Sequence, residues 1–97
     1  MTQVQLIARH TIKPGHESEV FALLTGLIDA ARAEPGCLAF DSYRKVGGER
    51  SYVLLERYAS REALAEHRSS AHFTEVLLGQ IVPLLDSRSI EEYDVPE

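Results

Sequence analysis

Two histidines, His67 and His72, bracket a pair of serines in the stretch EHRSSAHF, residues 66–73. Imidazole changes its protonation near neutral pH, so paired histidines point first to general acid–base chemistry. On one unbroken α-helix a spacing of five turns the rings roughly 140° apart, too far to act on one substrate or to grip one metal. Serine competes for backbone hydrogen bonds in mid-helix and suits helix caps. Ser69-Ser70 therefore marks a join between two helices, and the change of direction lets both rings reach the mouth of one pocket. His72 then lies in the first turn of the second helix, where unpaired amides and the positive end of the dipole favour a neutral ring able to act as a base.

The groups around this pair each carry two readings. His67 follows Leu64 by three and Ala63 by four, so it points inward as either a core histidine bonded to a strand or a catalytic group. Glu56 is a buried carboxylate that orients His67 or a contact for substrate. Tyr43 and Tyr58 are strand residues that pack with a satisfied hydroxyl or donate a proton. Arg44 is a solvated strand residue or a cation beside a substrate oxygen. Phe40 and Phe73 belong to the core or wall a cavity.

No metal is expected, because His67 and His72 lack the three- or four-residue spacing of a helical ligand pair and the first helix separates them from His10 and His16. VGGER at 46–50 is a hairpin turn and KPGHE has one glycine, so no phosphate-binding loop and no nucleotide cofactor are supported. No serine sits in a nucleophile elbow.

The elements that must position these groups follow from the hydrophobic period. VQLIARHTI at 4–12 reads as a strand with Val4, Leu6, Ala8 and His10 on one face. Val20, Leu23, Leu24, Leu27, Ile28 and Ala31 form the apolar stripe of a helix over 16–33, which EPG at 34–36 ends. CLAFDSYRK at 37–45 and SYVLLERY at 51–58 make a hairpin about Gly47-Gly48, with Tyr52, Leu54, Glu56 and Tyr58 on one face. Ser60 caps a short helix over 61–68, and Ser69 or Ser70 caps a second from about Ala71, with Phe73, Val76, Leu77, Gln80 and Ile81 inward until Pro83. SRSIEEYDV at 87–95 is the last strand. The order βαββαβ predicts one α+β, ferredoxin-like domain over 1–97, an antiparallel four-stranded sheet with its helices on one face. The other face keeps apolar residues, which a second copy would cover in a homodimer.

Composition agrees with one soluble domain: 97 residues, 44% hydrophobic and 26% charged. Ten Lys/Arg against fifteen Asp/Glu give a net charge of -5 without a basic block, which argues against nucleic acid. The single cysteine, Cys37, forms no intrachain disulfide and reads as a small half-buried residue. With neither a leader pattern nor an apolar run of membrane-spanning length, the expected location is the cytoplasm, away from membranes.

EPGCLAFDSYR, followed by SYVLLERYASREALAEHRSSAHF, resembles the antibiotic biosynthesis monooxygenase domain, a ferredoxin-like unit that pairs into a dimeric α+β barrel. The resemblance covers nearly the whole chain and is most specific from Glu56 to Phe73. It implies oxygenation of a small electron-rich aromatic, a quinol or an anthrone, by dioxygen and without metal, flavin or other prosthetic group. On that resemblance His72 is the base or proton carrier, with His67 and Tyr58 as hydrogen-bonding partners. Tyr43 and Arg44 lie near the substrate oxygen, Glu56 beside the pocket, and Phe40 and Phe73 as its walls. Haem-degrading members rely on an asparagine and a tryptophan, and this sequence has neither. Two alternatives stay open: an isomerase of a small polar or phosphorylated sugar, and a dimer that binds an aromatic metabolite without turning it over.

Overall fold

The structure, a computed structural model, describes residues 2–96. The chain runs β1 (Gln3–Ile12), α1 (Glu17–Arg32), β2 (Cys37–Lys45), β3 (Gly48–Tyr58), α2 (Arg61–Ser69), α3 (His72–Ile81), a single 3₁₀ turn and β4 (Leu85–Val95). The strands form one antiparallel sheet in the order β2-β3-β1-β4. This is the ferredoxin-like α+β sandwich. No helix among the described residues is long and apolar enough to cross a membrane.

Strand alternation sorts the sheet into two faces. Val4, Leu6, Ala8, His10 and Ile12 of β1 are buried, as are Tyr52, Leu54, Glu56 and Tyr58 of β3, and register pairs the two sets across the ladder. These residues face the helices. From α1 the buried stripe is Val20, Leu24, Leu27 and Ala31. Glu56 interrupts the apolar row of β3: Leu54 belongs to a large core cluster with Phe40, Leu77 and Ile81, and Tyr58 to a smaller one with Val4, Leu6 and Leu64. A buried carboxylate at the seam between two clusters needs polar partners nearby.

The α2–α3 junction has the predicted chemistry. Ser60 caps α2 by accepting from the Ala63 amide at 3.1 Å. Ser70 adopts an extended backbone that breaks the helix, and its hydroxyl accepts from the Phe73 amide at 3.3 Å while donating to the His67 carbonyl at 2.6 Å. The helix that follows differs from expectation. It is a π-helix rather than an α-helix, closing with a bond from the Val82 amide to the Leu77 carbonyl five residues back. Its wider turn brings residues four apart nearly into line, so Leu77 and Ile81 are buried and Phe73 packs on the same core, while Gln80, placed inward by the α period, is exposed.

The turn between α1 and β2 is laid directly against α2. The Gly36 carbonyl accepts from the Ala59 amide at 2.9 Å. A Cβ at Gly36 would stand 2.4 Å from the Ala63 Cβ, so only glycine fits. Gly36→Ala is expected to lower stability by about 1–3 kcal/mol, the range for overpacking, measured as a lower urea midpoint at unchanged m-value.

Candidate functional site

The fold delivers one carboxylate to both histidines. Glu34 stands in the α1–β2 turn, its amide donating to the Ala31 carbonyl at 3.1 Å and its carbonyl accepting from the Cys37 amide at 3.1 Å. Its Oε2 lies 2.7 Å from His67 Nδ1 and 2.5 Å from His72 Nε2. A carboxylate only accepts, so both rings donate into it, and this assigns their tautomers. The lone pairs left over are Nε2 of His67 and Nδ1 of His72. A carboxylate that holds one imidazole N–H fixes the ring and stabilises the cation formed when the other nitrogen takes a proton.

His67 is the buried centre of the arrangement, its side chain 2% exposed. Its ring centroid lies 5.1 Å from Tyr58, 5.3 Å from Phe73, 5.7 Å from His72 and 5.8 Å from Phe40. Its Nε2 faces Glu56 Oε1 at 3.9 Å, and Tyr58 donates its hydroxyl proton to that same oxygen at 2.5 Å. His72, Glu34, His67, Glu56 and Tyr58 therefore line up as one polar seam from partly exposed surface to buried sheet, hydrogen-bonded at both ends and in close polar approach between His67 and Glu56. His72 is 20% exposed and Glu34 16%, so solvent and ligand reach the seam from that end.

Burial sets the electrostatics. It pushes the His67 ring below the ordinary histidine value, against the pull of Glu34. It pushes Glu56 up to about 7, against the Tyr58 hydroxyl bond and the charges of Arg88 and Arg68. The Tyr58 hydroxyl is raised by burial and then by Glu56, which keeps it a donor. Cys37 is pushed up to about 11 by burial and by the carboxylates of Glu34 and Glu56, so its thiol stays protonated and inert near neutrality.

The structure thus brings together His67, His72, Glu56, Tyr58, Phe40 and Phe73. It separates Tyr43 and Arg44 from them. Tyr43 pairs with Val53 on the face away from the helices, 58% exposed, and lines a cleft of about 330 Å³ there with Arg9 and Lys45. Arg44 does face the helices, but it lies four residues along β2 from Phe40, roughly 13 Å at strand rise, with its guanidinium 4.2 Å above the Phe21 ring. Both residues line that cleft at the far end of β2, away from the Glu34-centred seam.

Two groups carry no functional signal in the sequence. Glu34 reads there only as part of the helix-ending turn EPG. Arg88 of β4 pairs with His10 on the helix-facing side, and its charge acts on Glu56, His10 and Tyr52. His10 is a second buried histidine, 2% exposed. Its Nδ1 is 2.7 Å from the Tyr52 hydroxyl, and its Nε2 has no hydrogen-bond partner among the described residues. Burial and Arg88 push it down to about 4, so it is neutral at physiological pH.

The antibiotic biosynthesis monooxygenase family model matches residues 4–77. The chain belongs to this family. A Mycobacterium tuberculosis protein, Rv0793, whose name gives it as a candidate monooxygenase, is 48% identical over 71 residues, 72% of this chain and 68% of that protein. YcnE of Bacillus subtilis, named in the same way, is 34% identical over 62 residues, 64% of this chain and 65% of that one. The solved Rv0793 structure superposes with a TM-score of 0.83 at 37% identity, covering 98% of this chain and 94% of that one. A conserved Methanosarcina mazei protein superposes with a TM-score of 0.91 at 25% identity, over 99% and 95% of the two chains. Family and fold support a monooxygenase-type function, and the Glu34-centred seam lies within the matched residues.

Proposed function

We propose that the protein is a monooxygenase of small electron-rich aromatics, quinols or anthrones, in which the substrate itself reduces dioxygen. The observation that carries this is the carboxylate of Glu34 holding His72, with the ring's other nitrogen left as a base at the accessible end of a buried polar seam. His72 Nδ1 takes a proton from the phenol or enol, and Glu34 stabilises the imidazolium. The electron-rich anion passes an electron to dioxygen, and the radical pair combines to a peroxide. Loss of water then leaves a ring CH2 as C=O, with one oxygen atom retained and the other released as water. His67 and Glu56-Tyr58 hold Glu34 and His72 in place. Phe40 and Phe73 supply apolar wall against the seam.

The test is oxygen uptake by the chelator-treated protein with a panel of quinols and hydroxyanthrones, against an autoxidation blank. Uptake above the blank with stoichiometric water-forming oxygenation is expected. None across the panel would overturn it in favour of the isomerase or of binding without turnover.

The working unit in this proposal is a cytoplasmic homodimer packed through the open sheet face. What supports the pairing is the apolar content of that face: Ile7, Val53 and Leu55 at its centre, flanked by Tyr43 and Tyr93 at 58% and 49% exposure. An acid at the centre would face its own copy across the two-fold axis. Leu55→Asp is expected to sediment as a monomer at concentrations where the parent is a dimer, with its unfolding still cooperative.

A further inference from the structure

We propose that Glu34, His67 and His72 form a three-ligand site for one divalent first-row transition-metal ion, of the zinc and cobalt class. Three independent elements, the α1–β2 turn, the end of α2 and the first turn of α3, converge to place one carboxylate oxygen and two imidazole nitrogens within 4.8 Å of one another. That convergence is what helical spacing in the sequence cannot show, because the two rings stand on different helices.

The donor set selects the ion. Two imidazoles and one carboxylate suit zinc, cobalt, iron or nickel, whereas calcium and magnesium need more oxygen ligands. The carboxylate oxygen now lies 2.7 Å and 2.5 Å from the two nitrogens, with a proton between each pair. An ion with bonds of about 2.0–2.2 Å holds its ligand atoms roughly 3.3 Å apart. The two oxygen–nitrogen pairs must therefore open by under about 1 Å while the two imidazole nitrogens, within 4.8 Å of each other, close to roughly 3.3 Å, which rotation of the partly exposed Glu34 and His72 side chains supplies. His67, 2% exposed, is the fixed post of the site.

The surroundings have the second layer that a metal-bound imidazole needs. When Nδ1 of His67 turns its lone pair to the ion, the ring proton moves to Nε2, which faces Glu56 Oε1 at 3.9 Å. Glu56 is in turn anchored by the Tyr58 hydroxyl. No net proton is lost from the ring. The exposed side of Glu34 and His72 leaves room for water to complete the coordination shell, the pattern of an open rather than a closed site. In the monooxygenase proposal above, an ion here occupies the ring that abstracts the proton, so the loaded form is catalytically silent. That consequence rests on the proposal, whereas metal binding stands by itself.

The experiment is titration of the chelator-treated full chain with CoCl2, read by visible absorption, followed by displacement with ZnCl2 and calorimetry of Zn2+ alone. One Co2+ per chain is expected, with d–d bands that Zn2+ abolishes. Glu34→Gln and His72→Ala, both at partly exposed positions, should each lose the bands and bind Zn2+ at least roughly 100-fold more weakly. His16→Ala, a histidine at the start of α1 outside the site, should bind as the parent does. Absence of binding tighter than about 1 mM, or binding that survives both Glu34→Gln and His72→Ala, would overturn the site. Neither result depends on oxygen uptake.

Discussion

His72→Ala is expected to consume oxygen roughly 10²–10⁴-fold more slowly than the parent on any quinol or anthrone the parent turns over, the range for loss of a positioned general base. The effect should fall on kcat with little change in KM, because the ring acts when the proton moves rather than when the substrate docks. Glu34→Gln should lose a similar factor for a different reason. Glutamine keeps the length and one acceptor oxygen, but it carries no charge to stabilise the imidazolium and presents an NH2 that does not fix the tautomer. The double variant should be little worse than either single one, since carboxylate and ring act as a unit. Additive losses, with the two factors multiplying, would show that Glu34 and His72 do not cooperate and would remove the proton-transfer pair from the mechanism.

The contrast between His72 and Glu34 shows what the sequence made legible. The histidines stood out because the serines between them signalled a helix break, and Ser70 makes that break with the hydrogen bonds its side chain implies. Strand faces were legible for the same local reason: a period of two put Glu56 and Tyr58 inward with Leu54. Glu34 was not, since it lies 33 and 38 residues before the rings it joins. What brings it there is Gly36 against Ala63, a contact with no local sequence signature. The π-helix was hidden for a related reason: Phe73, Leu77 and Ile81 also fit an α period loosely, and only packing on the core decides for the wider turn. Tyr43 and Arg44 stand apart from the seam for another reason: they line a cleft at the far end of β2 with His10 and Tyr52, a separation along the strand that alternation alone does not show.

The second large effect concerns stability, and it is masked in the parent. Folded Glu56 ionises at about 7 against 4.5 for the free side chain. Below pH 4.5 both states hold the proton. As pH rises from there to about 7 the unfolded chain ionises and the folded one resists, so stability falls, and above 7 the loss is complete. The displacement corresponds to about 3 kcal/mol. His10 works in the opposite sense. Its folded value of about 4 against 6.5 means that stability falls as pH drops through that window, because the unfolded chain takes up a proton that the buried ring refuses. The two slopes oppose each other between about 4.5 and 6.5, and the parent's stability should change little there from these two groups. Glu56→Gln removes one of them and retains an acceptor for the Tyr58 hydroxyl. Its stability relative to the parent, from urea unfolding at a series of pH values, should therefore rise by about 2–3 kcal/mol between pH 4 and pH 8. A difference that stays flat across that range would mean that Glu56 ionises in the folded protein as it does in the unfolded chain, and the polar seam would then carry a buried negative charge at neutral pH rather than a carboxylic acid.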